Sequence, residues 1–152
     1  MTAAYADTGF IASLYLEETT SGDAEGIFAA VGAPLPLTPL VHLELRNAFN
    51  LAVKRGRITI PVRDALWRRL EENTAAGVFV VTPIDASEVF AAARQLSDRH
   101  TSREASRTLD LLHVAAALTL GAREFLTFDR RQHAVARAEG LRLRPARLPA
   151  EI

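Results

Sequence analysis

Glu124-Phe125-Leu126-Thr127-Phe128-Asp129-Arg130-Arg131 is the stretch whose reading decides the fold. Its apolar and β-favouring residues predict a short strand over 124–128. Asp129 ends the strand, and the residues to about 139 read as a helix. An acid there stands at the carboxyl end of a strand, where open α/β sheets place their ligand sites. The N-terminus repeats the arrangement: a strand over 3–7 is ended by Asp7-Thr8-Gly9, and a helix follows to about 18.

The chain between these two stretches alternates in the same way. A helix over roughly 23–31 is stopped by Gly32-Ala33-Pro34, and 35–38 reads as a strand. Pro39 suits the first turn of a helix that runs to Arg55 and is closed by Gly56. Pro61 begins another helix, ending before Gly77, and 78–82 is a β-branched strand. A helix over about 86–99 leads into the polar stretch 97–104, and a helix over about 106–120 ends at Gly121. Residues 141–143 suit an edge strand. Short apolar runs alternating with amphipathic ones are the βαβ pattern of a parallel sheet covered by helices.

At 152 residues the chain fits a single domain, 1–152, with one core. Cysteine is absent, which excludes disulfides and thiolate metal sites. No basic stretch leads into a long apolar run at the N-terminus, and no segment approaches ~18 to 20 uninterrupted apolar residues. A cytoplasmic protein with no membrane span is expected. The net charge of zero argues against indiscriminate coating of nucleic acid. Seventeen of the 18 basic residues are Arg, however, and Arg forms forked contacts with phosphate. A GC-rich genome explains that bias equally well.

Four of the 18 acidic residues fall outside the solvated faces. Asp7 and Asp129 end strands, where an Asp also caps the helix that follows. Glu44 has Leu40, Val41, Ala48 and Leu51 as helical neighbours and interrupts a stripe expected to face the core. Asp110 lies inside the apolar run 108–117, with Arg107 and His113 one turn away on either side. A buried carboxylate must be protonated, paired or bound to a cation. Arg46 and Arg55 are alternative partners for Glu44 from elsewhere, and Arg107 is one for Asp110. Converging carboxylates repel unless a divalent cation neutralises them, and oxygen donors alone favour Mg²⁺ or Mn²⁺. The histidines, His42, His100, His113 and His133, show no zinc-binding spacing.

With these residues in view the sequence resembles the PIN-domain ribonucleases, in particular toxins of the VapC type. The resemblance covers nearly the whole chain. It is carried by Tyr5-Ala6-Asp7-Thr8-Gly9 with Ile11-Ala12-Ser13-Leu14, by Glu44-Leu45-Arg46-Asn47-Ala48, by 109–117, and by 125–131. It implies a three-layer α/β sandwich, with a short, mainly parallel central sheet and helices on both faces. It also implies a catalytic and metal-binding quartet of Asp7, Glu44, Asp110 and Asp129. Thr8 and Thr127 match hydroxyl positions beside the first and last acids; local capping or strand propensity explains them too. Arg46 and Arg130 are candidates for contact with phosphate, as are Lys54, Arg55, Arg57, Arg99, Arg103 and Arg131; solvated surface is the alternative for each.

The activity so implied is endoribonucleolytic hydrolysis by a water activated on Mg²⁺ or Mn²⁺, leaving a 5′-phosphate and a 3′-hydroxyl. The substrate by analogy is structured RNA such as tRNA or rRNA. The implied partners are a cognate antitoxin and a second copy, as a homodimer or a toxin–antitoxin hetero-oligomer. Leu66, Trp67 and Leu70 are candidates for either interface, and Trp67 reads equally well as core.

Three other readings fit less well. A haloacid-dehalogenase-type phosphatase wants a second Asp two residues after Asp7, where Gly9 stands. A response-regulator receiver needs a downstream Lys, and the single lysine is Lys54. A silent PIN-like RNA-binding module keeps the fold without the chemistry, and the intact acids speak against it.

Overall fold

The computed structural model describes residues 2–149, which form two compact units. One contains the chain up to Asp7 and from Ile84 onward; the other is Thr8–Pro83.

The first unit is built on a parallel sheet of β1 (Ala4–Ala6), β4 (Glu124–Leu126) and β5 (Arg142–Arg144), in the order β1-β4-β5. Ala6 pairs with Leu126 and Leu126 with Arg144. The ladder continues past the strands, because Asp7 N–H donates to the Leu126 carbonyl and Thr127 N–H to the Arg144 carbonyl, both at 3.1 Å. This register brings the carboxyl ends of β1 and β4 side by side. On edge strand β5, Arg144 grips Glu124 with two hydrogen bonds of 3.1 and 3.2 Å, the forked geometry natural to Arg.

Three helices complete this unit: α5 (Ala86–Glu104), α6 (Thr108–Thr119) and α7 (Arg130–Ala138). Helix α6 is buried from Asp110 to Ala117, which explains its almost unbroken apolar sequence. Helix α5 corrects an expectation, since it does not stop near 99 but continues through the polar stretch to Glu104. Val89, Ala93, Leu96 and His100 form its buried face, so the polar residues only coat the outer side of one amphipathic helix. His100 is anchored by a 2.6 Å contact between its Nε2 and Glu139 Oε2. The turn after α5 places Ala105 in the left-handed region, at φ 50°.

The second unit pairs β2 (Leu35–Leu37) with β3 (Phe79–Val81) in parallel, so the described strands form two small sheets and all their pairings are parallel. It also holds α1 (Thr8–Ser13), α2 (Ser21–Val31), α3 (Pro39–Lys54) and α4 (Ile60–Ala75). Helix α1 ends five residues earlier than expected. Leu14 and Tyr15 N–H donate to the carbonyls three residues back, Ile11 and Ala12, tightening the last turn. Ser13 turns its hydroxyl back to the Gly9 carbonyl, at 3.0 Å.

Thr38 and Thr59 cap α3 and α4, accepting from Val41 N–H at 3.2 Å and Val62 N–H at 3.4 Å. Pro61 therefore occupies the second position of α4 rather than opening it. The core of this unit holds an aromatic cluster in which Tyr15 and Phe28 pack on Phe79, Tyr15 also meets Phe49, and Trp67 stands edge-on to Phe49. Leu70, expected as an interface residue, is buried instead. No helix among the described residues is long and apolar enough to cross a membrane.

Candidate active site

Three of the four acids lie in the first unit, joined by one run of hydrogen bonds. Asp7 and Asp110 are each only 3% exposed, and the side chain of Asp129 is 29% exposed. The adjacency of β1 and β4 lets the Thr127 hydroxyl donate to Asp7 Oδ2 at 2.6 Å. The same hydroxyl accepts from Asp129 N–H at 2.9 Å. Asp129 in turn caps α7, its Oδ1 accepting from Gln132 N–H at 2.9 Å. Gln132 Nε2 then donates to Asp110 Oδ1 at 3.2 Å, which closes the path from the first acid to the third. Asp129 thus caps α7 through Oδ1 and keeps Oδ2 clear of the cap, facing Arg107.

Asp110 is fixed from its own helix as well. Its Oδ2 accepts from Arg107 N–H at 3.0 Å, the return half of a capping box, and the Arg107 guanidinium stands 3.6 Å away. That guanidinium also lies 3.9 Å from Asp129 Oδ2, so one largely exposed cation faces two acids. One turn further along α6, His113 Nδ1 meets the Tyr5 hydroxyl at 2.8 Å. Tyr5 stacks on Phe125 with ring centres 5.6 Å apart. This buried contact pins α6 to the strand that ends in Asp7.

Glu44 belongs to the second unit. It is half-buried on α3, beside rather than within the core stripe, which is Val41, Leu45, Phe49 and Ala52. The expectation that it interrupts that stripe is corrected: Leu51 is 40% exposed, so the stripe runs one position away. Thr8, the residue after Asp7 in the chain, donates its hydroxyl to Glu44 Oε1 at 3.0 Å. The two threonines singled out from the sequence thus each hold an acid. Arg46 instead lies over Trp67, 4.9 Å from the ring centre, a cation–π contact that ties α3 to α4. Arg130 is exposed at the start of α7, beside Asp129.

Gln132 and its double role are absent from the sequence reading. The spacing Asp129-x-x-Gln132 is the signature of a capping box and was the available signal. Here the amide leaves the cap and crosses to Asp110. Its orientation is dictated by chemistry, because a carboxylate only accepts and the NH₂ must face it. Gln132 Oε1 is consequently left buried without a hydrogen-bond partner, as is Ser106 Oγ.

These residues suit a hard divalent cation. The donors are all oxygen, two of the carboxylates are buried, and Gln132 offers an unsatisfied acceptor next to Asp110 for a coordinated water. Among the described residues no three His, Asp or Glu side chains converge into a ready cage. Mg²⁺ does not need one, since it keeps several waters and is held by one or two carboxylates together with substrate phosphate.

No curated protein matches this sequence. Among solved structures, FitAcB from Neisseria gonorrhoeae has a similar fold, with a TM-score of 0.65 over 88% of this chain and 93% of that one, at 17% identity. The family model of the PIN domain matches residues 4–138, the span that holds all four acids, and the chain belongs to that family.

Proposed function

We propose that this chain is a divalent-cation-dependent endoribonuclease acting through Asp7, Glu44, Asp110 and Asp129, the toxin of a VapC-type toxin–antitoxin pair. PIN domains are generally nucleases. The observation that carries the reading further is the hydrogen-bonded run from Asp7 through Thr127, Asp129 and Gln132 to Asp110. A purely structural set of acids has little reason to hold two carboxylates buried and share one exposed arginine between two of them.

In this reading Asp7 and Asp110 would hold Mg²⁺ or Mn²⁺, with Glu44 and Asp129 completing the shell or orienting water. When bound, the cation neutralises charge on the scissile phosphate and lowers the pKa of a coordinated water. The protein supplies the positions. Thr127 fixes the plane of the Asp7 carboxylate, Gln132 and Arg107 N–H fix that of Asp110, and Thr8 holds one rotamer of Glu44. The Gln132 carbonyl oxygen, buried without a partner of its own, would accept a hydrogen bond from a water at the site. No side chain acts as nucleophile in this reading, and the family resemblance implies products with a 5′-phosphate and a 3′-hydroxyl.

The remainder follows the family resemblance: structured RNA such as tRNA or rRNA as substrate, one PIN domain per chain, a cytoplasmic location, a cognate antitoxin and a homodimer or hetero-oligomer. Among the second-rank residues, Arg130 is placed at phosphate, and Arg46 is assigned to the scaffold because Trp67 occupies it.

The test is cleavage of total RNA by purified protein with Mg²⁺, Mn²⁺ or EDTA. Metal-dependent fragments that fall by more than about a hundredfold in Asp7→Asn and Asp110→Asn are expected. Cleavage that survives EDTA, or either substitution, would overturn the assignment.

A further inference from the structure

Two open cavities in the first unit adjoin the Asp129 end of the acid network. The nearer, of about 430 Å³, is lined by Arg103, Asp129, Arg130 and Arg131 among others. The farther, of about 510 Å³, runs along α7 and is lined by Arg130, His133, Arg137 and Arg147. They share Arg130 and Glu104, so they form one continuous surface. Five exposed arginines face it, against Glu104 and the partly exposed Asp129.

The helix itself dictates this alignment. Arg130, His133, Ala134, Arg137 and Ala138 recur at helical spacing and occupy one face of α7. Arg130 and Arg137 are separated by about 10 Å along the axis, two turns of the helix. The floor between the cations is apolar, made by Ala134, Ala138 and Leu148. Guanidinium groups beside small apolar side chains suit a chain with a regularly charged backbone and flat apolar bases.

We propose that this surface is a track for the phosphodiester backbone of single-stranded RNA, carrying the strand away from the scissile phosphate along α7 to Arg147. The proposal rests on the ribonuclease reading for its direction, because a strand whose phosphate sits at Asp129 must continue across Arg130 and Arg131. Two of the cations also have structural duties. Arg137 donates to the Ala146 carbonyl, holding the segment that bears Arg147 against α7, and Arg103 donates to the Arg99 carbonyl. Arg131 and Arg147 have no hydrogen bond or ion pair among the described residues and answer to substrate alone.

The experiment measures binding of a labelled single-stranded RNA oligonucleotide to the full chain in EDTA across a salt series, so that binding is separated from cleavage. The variants are Arg131→Gln, Arg147→Gln and their combination, with Arg94→Gln, which lines neither cavity, as control. Each lost phosphate contact is expected to weaken binding about fivefold at ~0.1 M salt and to lower the salt slope by about 0.7. The control should bind as wild type.

RNA binding with an unchanged slope in the double variant would overturn the track while leaving the ribonuclease reading intact. Arginine-dependent binding without any cleavage in Mg²⁺ or Mn²⁺ would support the track and sink the nuclease. Polyglutamate binding that depends on the same arginines, with RNA binding that does not, would give the surface to an acidic peptide and overturn the proposal.

Discussion

Gln132 donates its side-chain amide to Asp110 at 3.2 Å while its backbone N–H is held by Asp129, so one residue sets the position of one acid and takes its own position from another. The link joins the first turn of α6 to the first turn of α7, and no other described hydrogen bond connects those two acids so directly.

Replacing Gln132 by Leu keeps volume but removes the donor. Mn²⁺ affinity measured by calorimetry should fall about 10- to 100-fold. Stability should fall by no more than about 1–3 kcal/mol, because the lost donor to buried Asp110 is offset in part by removal of the unsatisfied Oε1. A large loss of stability with unaltered Mn²⁺ affinity would mean that Gln132 is scaffold only.

Thr127→Val removes a hydroxyl that both donates to Asp7 and accepts from Asp129 N–H. Two buried polar groups lose a partner for one substitution, and a destabilisation of about 1–3 kcal/mol is expected in urea unfolding. Thr127→Ser retains the hydroxyl and should stay within about 1 kcal/mol of wild type. Equal stability of the valine and serine variants would contradict the relay.

Glu139 is bonded by Arg99 at 2.7 Å and by His100 at 2.6 Å. The Arg99 hydrogen bond, above all, holds its carboxyl below the ordinary value of 4.5, against the opposing effect of burial. The unfolded chain therefore binds this proton more readily than the folded one. The stabilisation is present above pH 4.5 and is lost as pH falls through the lower folded value. Glu139→Gln should be less stable than wild type at neutral pH, with the gap narrowing in acid; urea midpoints at neutral pH and below pH 4 check it.

Ala105 ends α5 at φ 50°, where its Cβ crowds the backbone, and the residue is exposed. Ala105→Gly should stabilise the fold by about 0.5–1 kcal/mol, relief of the left-handed strain outweighing the added freedom of the unfolded chain. A lower melting temperature in the variant would show that the turn is not strained.

Much of the secondary structure was determined by the sequence alone, because its signals are local. Proline marked the first turn of α3 and of α4, glycine closed α3, and an apolar run marked α6. Local signals also picked out Asp7, Asp129 and Asp110, since a strand end and an apolar helix are both visible in a few residues. Where a reading relied on solvent exposure it went astray. The helix expected to end near 99 runs on through the polar stretch to Glu104, and Glu44 lies beside the core stripe, because helical phase is sensitive to a single position.

Only the tertiary structure decided which groups satisfy the acids. The partnership of Thr127 with Asp7 spans 120 residues, and that of Gln132 with Asp110 spans 22 and joins two helices. Such pairings depend on strand register and on helix packing, which are set by the summed burial of many side chains rather than by any short motif. The sequence by itself therefore determined which carboxylates to suspect, and the packed sheet and helices determined that Thr127 and Gln132 join three of them in one network.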